Sequence, residues 1–423
     1  MIPRHVAALL ATWLLSLAAP AAHAQATETA GVYDRFRDRI VQVRVVDRQA
    51  GSKAAIGSGF FAGRPGWIVT NYHVVSHLVN EPGQYEARYV TEGGGIGGLA
   101  LLAVDPVHDL ALLGADDTHE APLRLAGPPP PKGTRLWSLG YPFDIGLTIV
   151  EGTFNGMLEK SLYERLHFTG SINPGMSGGP TLDRDGSVVG VNVATAGNQV
   201  SFLVPARHVA ALLEGADGEP VSAEAVDAGV SRQLLDNQDR IMGELLATPL
   251  ATIPIDGYTV PGDLAPWLNC WGNSQEDTGG DLALVYHRCQ SNDDIYLSAS
   301  LSTGIVQFQH ERLSTRALGP MRFYRQLEKR GYFPRLRLDG DEETVTNYRC
   351  QDGYVGAADM PMVVTYCVRR YRRLDGLYDA YLGLTSLTGE REALQSTLVM
   401  AGFSWDNLER FVARFLEAFS WNP

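Results

Sequence analysis

A serine flanked by glycines, Ser177, is the strongest candidate for covalent chemistry in the chain. Within residues 171–180 it follows Gly175 and precedes Gly178 and Gly179. A serine hydroxyl attacks a carbonyl group only when a base takes its proton and backbone N–H groups hold the oxyanion. Glycines permit the required tight turn and let the N–H groups of Gly175 and Ser177 approach a substrate. Because the same glycine-rich text also occurs in ordinary turns, the assignment depends on a base and an orienting acid elsewhere.

A histidine and an aspartate precede this serine, each in its own local context. His73 stands at the end of a predicted strand, and Asp109 directly precedes the apolar run 110–113. An imidazole accepts the serine proton only when its other nitrogen is held in the right tautomer, as a buried aspartate does. Alone, such a histidine is usually structural and such an aspartate usually forms a turn. Together, in this order, we predict that His73, Asp109 and Ser177 form a catalytic triad.

The segments around these residues have the pattern of a β protein. From residue 33 to about 213, short apolar runs of strand length alternate with Gly and Pro, and helical periodicity is weak. This pattern predicts an all-β sandwich or barrel. The proline-rich run 127–133 cannot join a sheet, so we expect it to connect two halves.

The same region resembles the chymotrypsin/trypsin-like serine proteases, and most closely the bacterial HtrA (Deg) type. The resemblance covers roughly residues 35–213 and is carried by the segments 57–60, 68–75, 109–113, 173–180, 186–192 and 200–205. It implies an all-β double β-barrel catalytic domain, in which two packed six-stranded barrels hold the site between them. We therefore expect residues 25–215 to form this domain.

The resemblance also implies a role for each catalytic residue. His73 would be the general base and then the general acid, Asp109 its orienting partner, and Ser177 the nucleophile. The N–H groups of Gly175 and Ser177 would form the oxyanion hole. Met176 stands where digestive trypsins carry the aspartate that pairs with a newly cut N-terminus. Activation by cleavage of a zymogen is therefore not expected.

The resemblance also implies which residues form the substrate pocket. Ser171, six residues before the nucleophile, would lie at the base of the primary specificity pocket, with Ile172 and Asn192 as further pocket residues. No acidic residue stands there, and desolvating an unpaired cation is costly. We expect a preference for small or medium aliphatic side chains over Arg or Lys.

Metal and cofactor chemistry are not expected. His73 and His77 have the spacing of two zinc ligands on a helix, but Val74 replaces the glutamate of H-E-x-x-H and no third ligand is evident. His108 beside Asp109 is an alternative base, although neighbouring residues of an extended chain point to opposite faces. We interpret His108 as a surface residue.

The start of the chain is typical of a secretory signal peptide. Arg4 precedes an apolar run, and Ala22-His23-Ala24 matches a small-residue cleavage site, so residues 1–24 are predicted to be removed on export to the periplasm or the medium. The formal net charge of −13 argues against a nucleic-acid or anionic-membrane partner. No later apolar stretch is long enough to span a bilayer.

The second half of the chain differs in character. Residues 216–250 suit a helical linker, and no carboxylate-binding loop of the PDZ type, which often follows HtrA protease domains, is evident after it. All four cysteines lie in residues 251–423. In an exported chain this favours two disulfides over zinc, whose C-x-x-C pairs are missing, and the short loops favour Cys270–Cys289 and Cys350–Cys367. We expect an α+β domain.

This C-terminal domain shows signs of an internal duplication. The first cysteines of the two pairs are 80 residues apart and the second 78, and similar strand and helix text follows each pair. Chance likeness of two hairpins is the alternative. In the last predicted helix one apolar face is expected to be core rather than a binding groove; it comprises Leu408, Phe411, Val412, Phe415, Leu416 and Phe419.

The function predicted from these features is that of an exported serine endopeptidase acting on proteins or peptides through an acyl-enzyme. The alternative is a protein-binding or chaperone-like module whose protease domain is idle or conditionally active. The presence of all three triad residues with their glycines favours the enzyme. Neither the natural substrate nor the oligomeric state can be inferred from these residues.

Overall fold

The structure, a computed structural model, describes residues 20–116, 121–195, 197, 199–276, 281–331, 338, 340–357 and 360–421 of the chain. Contacts divide the chain into two compact units. The first runs as far as Leu102 and also includes Ala111–Met157 and Arg165–Pro220. The second takes in Ala103–Leu110, Leu158–Glu164 and the chain from Val221 onward. Most of the predicted signal peptide, residues 1–19, lies outside the described residues.

The first unit begins with helix α1 (Pro20–Phe36) and a closed six-stranded barrel. The barrel elements are β1 (Ile40–Asp47), β2 (Ser52–Phe61), β3 (Trp67–Thr70), helix α2 (Tyr72–Asn80), β4 (Tyr85–Val90), β5 (Ile96–Asp105) and β6 (Leu110–Ala115). Around the barrel the strands follow the order β1-β2-β3-β6-β5-β4. Val41, Val43 and Val45 are fully buried, because β-branched side chains pack well on the pleated surface of a strand.

A second closed barrel follows the proline-rich connector. Its elements are β7 (Arg135–Gly140), β8 (Thr148–Met157), β9 (Leu166–Phe168), β10 (Pro180–Leu182), β11 (Val188–Thr195) and β12 (Ser201–Pro205), and helix α3 (Ala206–Gly215) comes after them. The strand order around this barrel is β10-β11-β12-β9-β8-β7. Phe168, Met176 and Leu203 are among the side chains of its core. The prediction of a chymotrypsin-like double barrel is confirmed.

The second unit is rich in β structure, and the expected α+β class describes it loosely. In chain order its elements are α4 (Ala223–Leu245), β13 (Thr252–Ile255), β14 (Tyr258–Pro261), β15 (Leu268–Glu276), β16 (Ala283–Ser291), β17 (Ile295–Ser298), β18 (Leu301–Thr303), β19 (Ile305–Ser314), α5 (Pro320–Gly331), β20 (Arg349–Ala357), β21 (Met360–Arg370), β22 (Tyr378–Ser386), β23 (Glu392–Phe403), α6 (Trp405–Glu417) and β24 (Ser420–Trp421). Its main sheet has the antiparallel order β15-β16-β19-β23-β22-β21-β20. Leu408, Phe411 and Phe415 of α6 are fully buried, as the apolar spacing predicts.

Two disulfides join directly paired residues of neighbouring strands. Cys270 on β15 is bonded to Cys289 on β16, and Cys350 on β20 to Cys367 on β21. The two bonds therefore lie at opposite edges of the seven-stranded sheet. The internal duplication stays a prediction, because β23 stands between β19 and β22 and has no counterpart in the first half of the sheet.

No helix within the described residues is both long and apolar enough to cross a bilayer.

Candidate active site

The predicted nucleophile lies in a turn that only glycines can form. Gly175 and Gly178 have φ angles of +97° and +84°, a region that side chains disfavour. A Cβ atom on Gly175 would lie 2.4 Å from the carbonyl oxygen of Tyr141, and one on Gly179 would lie 2.1 Å from that of Leu139. The backbone around Ser177 is thus held in one conformation by close packing against β7 and the loop that follows it.

The turn leaves two backbone donors free at the expected positions. The N–H of Met176 donates to the Asn173 carbonyl at 2.9 Å, and the N–H of Gly178 donates to the Asn192 carbonyl at 2.9 Å. For the N–H groups of Gly175 and Ser177, no acceptor is present among the described residues. Because an oxyanion hole needs backbone donors that the folded chain does not already use, this is the arrangement that an oxyanion hole requires.

Ser58 connects the nucleophile turn to the first barrel. Its hydroxyl donates to the Gly175 carbonyl at 2.7 Å and accepts from the Tyr141 N–H at 2.9 Å, while its own N–H donates to the Ser177 carbonyl at 2.7 Å. Thr70 in turn donates to the Ser58 carbonyl at 2.7 Å. Ser58 lies in the segment 57–60, where no sequence pattern marks its role. Its fully buried side chain now identifies it as the residue that fixes the backbone beside the nucleophile.

Asn192 supports the same turn from the other side. Its side-chain oxygen accepts hydrogen bonds from Ser138 at 2.8 Å and Thr181 at 2.7 Å, and its amide nitrogen lies 3.2 Å from the carbonyl oxygens of both Leu139 and Met176. The side chain is 0% exposed. It cannot touch a substrate, because both ends of the amide are used inside the barrel. Its assignment to the substrate pocket is therefore corrected to a structural role.

The other two predicted pocket residues, Ile172 and Ser171, differ in burial. Ile172 is buried in the core of the second barrel together with Met176 and Phe168, so its side chain is not available to a substrate either. Its assignment to the pocket is corrected in the same way. Ser171 is exposed and keeps its expected role as a prediction.

His73 lies in the first turn of α2 and not at the end of a strand as the sequence predicts, because β3 ends three residues earlier at Thr70. Its ring is partly exposed while Tyr72, Val74 and Val75 around it are buried, and the Ser76 hydroxyl donates to its carbonyl at 3.0 Å. Packing of its neighbours in the first barrel thus fixes the helix turn that carries the imidazole. His77 lies one turn further along and packs against the ring of Tyr85, 5.0 Å away.

Asp109 closes the tight turn between β5 and β6. It has a φ of +58°, unusual for a residue with a side chain, and its N–H donates to the Pro106 carbonyl at 3.3 Å. His108 is part of the same turn, and its Nδ1 lies 2.7 Å from a carboxylate oxygen of Asp105. His108 is therefore partly buried and paired with Asp105, in a turn and not in the extended chain from which a surface position is predicted.

The hydroxyl of Ser177 points toward β11. Its oxygen lies 3.4 Å from the carbonyl oxygen of Val193, a distance at the upper limit for a hydrogen bond. The hydroxyl is thus only weakly held. The side chain is partly exposed, so a reagent can reach it.

The loop between β7 and β8 lies against the nucleophile turn and is anchored by charge. Phe143 and Asp144 have φ angles of +51° and +61°, and the Phe143 N–H donates to the Pro174 carbonyl at 2.9 Å. The Asp144 carboxylate bonds to Lys53 and accepts from Gln42 at 2.9 Å. These hydrogen bonds, that of Lys53 first, lower the pKa of Asp144, so the anchor stays ionised at neutral pH.

Potential metal donors meet in the second unit. Asp263, Cys270, His287 and Cys289 bring donor atoms within 4.8 Å of one another. The two sulfurs are bonded to each other and do not exist as the thiolates that a zinc site needs.

Comparison with known proteins finds similar proteins for the N-terminal part of the chain. Residues 57–191 match the family model of the trypsin-like peptidase domain. The N-terminal part of the chain is thus similar to a trypsin-like peptidase domain, and its two closed six-stranded barrels agree with that similarity. Within that class, the similar proteins are serine proteases of the HtrA and DegP type.

A probable periplasmic DegP-like serine endoprotease of Bartonella henselae is 32% identical over 36% of this chain and 31% of its own length. The human serine protease HTRA3 is 27% identical over 37% of each chain. The chain thus spans about a third of the length of these two relatives. The solved serine endoprotease of Yersinia pestis is 24% identical, with a TM-score of 0.39 over 44% of this chain and 65% of that one.

Proposed function

We propose that the chain is a serine endopeptidase that cleaves peptide bonds in proteins through a Ser-His-Asp triad. The observation that carries the proposal is the nucleophile turn, in which glycine-restricted backbone leaves the N–H groups of Gly175 and Ser177 without an acceptor among the described residues. These two donors flank Met176, whose own N–H is used inside the turn. The match of this segment to the trypsin-like peptidase domain supports the same function.

In the proposed mechanism His73 takes the proton of the Ser177 hydroxyl as its oxygen attacks the scissile carbonyl carbon. The negative charge on the carbonyl oxygen is held by the N–H groups of Gly175 and Ser177. When the tetrahedral intermediate collapses, His73 returns the proton to the leaving amine and an acyl-enzyme remains. Water, deprotonated by His73, then attacks this ester. As the second tetrahedral intermediate collapses, His73 returns the proton to the Ser177 oxygen and the acid product leaves. Asp109 orients the imidazole and stabilises its charged form.

We further propose that the protein acts outside the cytoplasm, most simply in the periplasm. The predicted signal peptide supports this, as does the printed description of the Bartonella henselae relative as a probable periplasmic protein. The two disulfides suit an oxidising compartment.

The test is covalent labelling of the full chain with a fluorophosphonate probe, followed by peptide mapping. Such a probe needs an activated hydroxyl and an oxyanion hole, so we expect one label, on Ser177. Ser177→Ala and His73→Ala should each abolish nearly all turnover of a protein substrate, and the double variant should lose little more, because the triad acts as a unit. Asp109→Asn should reduce turnover by about 10⁴-fold through the wrong histidine tautomer.

The competing function, a binding module with an idle protease domain, gives a different set of results. It is supported if no label forms with or without candidate activating peptides and after mild heating, while peptide binding survives Ser177→Ala. Labelling that appears only with an activating peptide would instead show a conditional protease, which keeps the proposed chemistry.

A further inference from the structure

A cavity of about 620 Å³ lies in the second unit, over one face of the seven-stranded sheet near its β20 edge. In β21, Tyr366, Val368 and Arg370 share a face, because side chains alternate along a strand. Arg349 on β20 pairs with Val368, and Tyr378 on β22 pairs with Arg370, so both belong to that face. All five residues line the cavity.

One wall of the cavity is aromatic. The rings of Tyr378 and Trp405, the first residue of α6, meet edge to face with centroids 5.8 Å apart. Trp405 is 41% exposed, although tryptophan is normally well buried. With Val368 as the floor, this wall forms an apolar slot that suits a flat side chain.

The rim of the cavity is cationic. The guanidinium groups of Arg349 and Arg370 have no carboxylate partner among the described residues, and none of the described lining residues is acidic. Arg369, which also contributes to the lining, is already paired with Asp379 at 2.8 Å. Two unneutralised arginines beside an apolar slot favour a ligand that joins a flat apolar group to an anion.

A buried polar atom also faces this region without a partner. The hydroxyl of Tyr366 is inaccessible to solvent and makes no hydrogen bond with any described residue. Burial, with a smaller contribution from the charge of Glu409, raises the pKa of Tyr366 to about 12, so the group keeps its proton and can donate. Because a ligand atom reaches no further than water does, the hydroxyl is not a contact of this cavity, and Tyr366 contributes its ring to the lining.

The neighbouring strand edge indicates what form the ligand takes. β20 is the last strand of the sheet and has only β21 as a neighbour among the described residues. Arg349, Cys350 and Gln351 of this strand line the cavity. An extended peptide can pair with such an edge through its backbone while alternate side chains enter adjoining pockets.

We propose that this cavity and the β20 edge bind an extended internal peptide segment that carries an aromatic residue two positions before an acidic one, since alternate residues of an extended chain share a face. The aromatic side chain fills the slot beside Tyr378 and Trp405, and the carboxylate meets Arg349 and Arg370. If the chain is the protease proposed above, this site holds substrate proteins by a sequence that is separate from the cleaved bond. That role rests on the proposed function, whereas the binding itself does not.

The test measures binding to the full chain carrying Ser177→Ala, so that no peptide is cut. The probe is a fluorescein-labelled peptide, capped at both ends, with the sequence Gly-Ser-Phe-Ser-Glu-Gly. Exchanging its Glu for Gln, or its Phe for Ala, should each weaken binding by about fivefold or more. Added salt should weaken binding of the parent peptide and leave binding of the Gln peptide almost unchanged.

In the protein, Arg349→Gln and Arg370→Gln should each weaken binding of the Glu peptide by about fivefold. Binding of the Gln peptide should not change. Arg322→Gln is the matched control, since Arg322 is an exposed arginine on α5 outside the cavity. Glu409→Gln should tighten binding, because it removes the acidic charge that acts on Tyr366. Thermal unfolding midpoints equal to that of the parent establish that the variants are folded.

Equal binding of the Glu and Gln peptides, or an equal effect of Arg322→Gln, would overturn the proposal. Tighter binding of a peptide that ends in a free Phe carboxylate would overturn the assignment to an internal segment. No detectable binding of any of these peptides would also reject the site. Because catalysis plays no part in the measurement, each of these results leaves the triad open to its own test.

Discussion

At the scale of single residues, the candidate active site depends on a serine that does no chemistry. The Ser58 hydroxyl holds the Gly175 carbonyl and the Tyr141 N–H at once, the first bond part-buried and the second buried. The Gly175 carbonyl belongs to the peptide group after Gly175, so this bond fixes Gly175 from its C-terminal side and with it the backbone that carries a donor of the proposed oxyanion hole. Ser58 is thus a positioning residue for the donor whose charge stabilisation matters only in the transition state.

We therefore expect Ser58→Ala to lower kcat by about 10- to 100-fold and to leave KM nearly unchanged, because the oxyanion hole acts mainly on the transition state. Unfolding free energy should fall by about 1–3 kcal/mol, as the remaining buried groups lose their partner. Steady-state kinetics and urea unfolding measure the two effects. Ser231→Ala on α4, which removes another mostly buried serine bond, should destabilise without changing kcat. A Ser58→Ala protein with full kcat would contradict this role.

At the scale of elements, the packing of β19 against α6 contains a buried base. His310 on β19 is fully buried, its Nδ1 lies 2.8 Å from the Ser396 hydroxyl, and the rings of Phe415 and Phe419 pack against it. Burial, with a smaller effect from the nearby His287, lowers the pKa of His310 from 6.5 to about 3. The folded state, in which α6 packs on the sheet, therefore favours the neutral imidazole of His310.

The sign of the resulting pH dependence follows from the lowered pKa. Between pH 6.5 and about 3 the unfolded chain binds a proton at this position that the folded chain does not. The free energy of unfolding has its full value above that window. It falls as the pH drops through the window, by up to about 1.4 kcal/mol per pH unit. Urea unfolding across the window measures the slope. His310→Gln should make the slope shallower, and His77→Gln, outside this sheet, should not; equal slopes in all three proteins would contradict the assignment.

Some features of the helices and strands can be predicted from the sequence, and others cannot. The apolar face of α6 is predictable because Leu408, Phe411 and Phe415 repeat within one helix, where spacing alone determines the face. The place of β23 between β19 and β22 is not, because it depends on contacts outside its own segment. The roles of Ser58 and Asn192 are hidden for the same reason. Ser58 and Gly175 are 117 residues apart, and no local pattern marks such a pair.

At the scale of the whole molecule, the covalent cross-links are unevenly distributed. All four cysteines lie in the second half of the chain, and both disulfides belong to the second unit. The two barrels of the first unit therefore depend on noncovalent interactions alone. Each unit has its own buried core, and such units often unfold as separate cooperative transitions.

We expect calorimetry of the full chain with Ser177→Ala, which prevents cleavage of unfolded material, to show two transitions of which only one responds to a reductant. The bonded cysteines are 19 and 17 residues apart in sequence. Closing a loop of that size stabilises by about 3 kcal/mol, so loss of one bond should lower that transition by about 6–12 °C. Replacing both Cys350 and Cys367 by alanine should reproduce about half of the effect of full reduction, and the Cys270/Cys289 pair the other half. If reduction instead shifts a single transition of the entire chain, the two units unfold as one and the barrels depend on the disulfides after all.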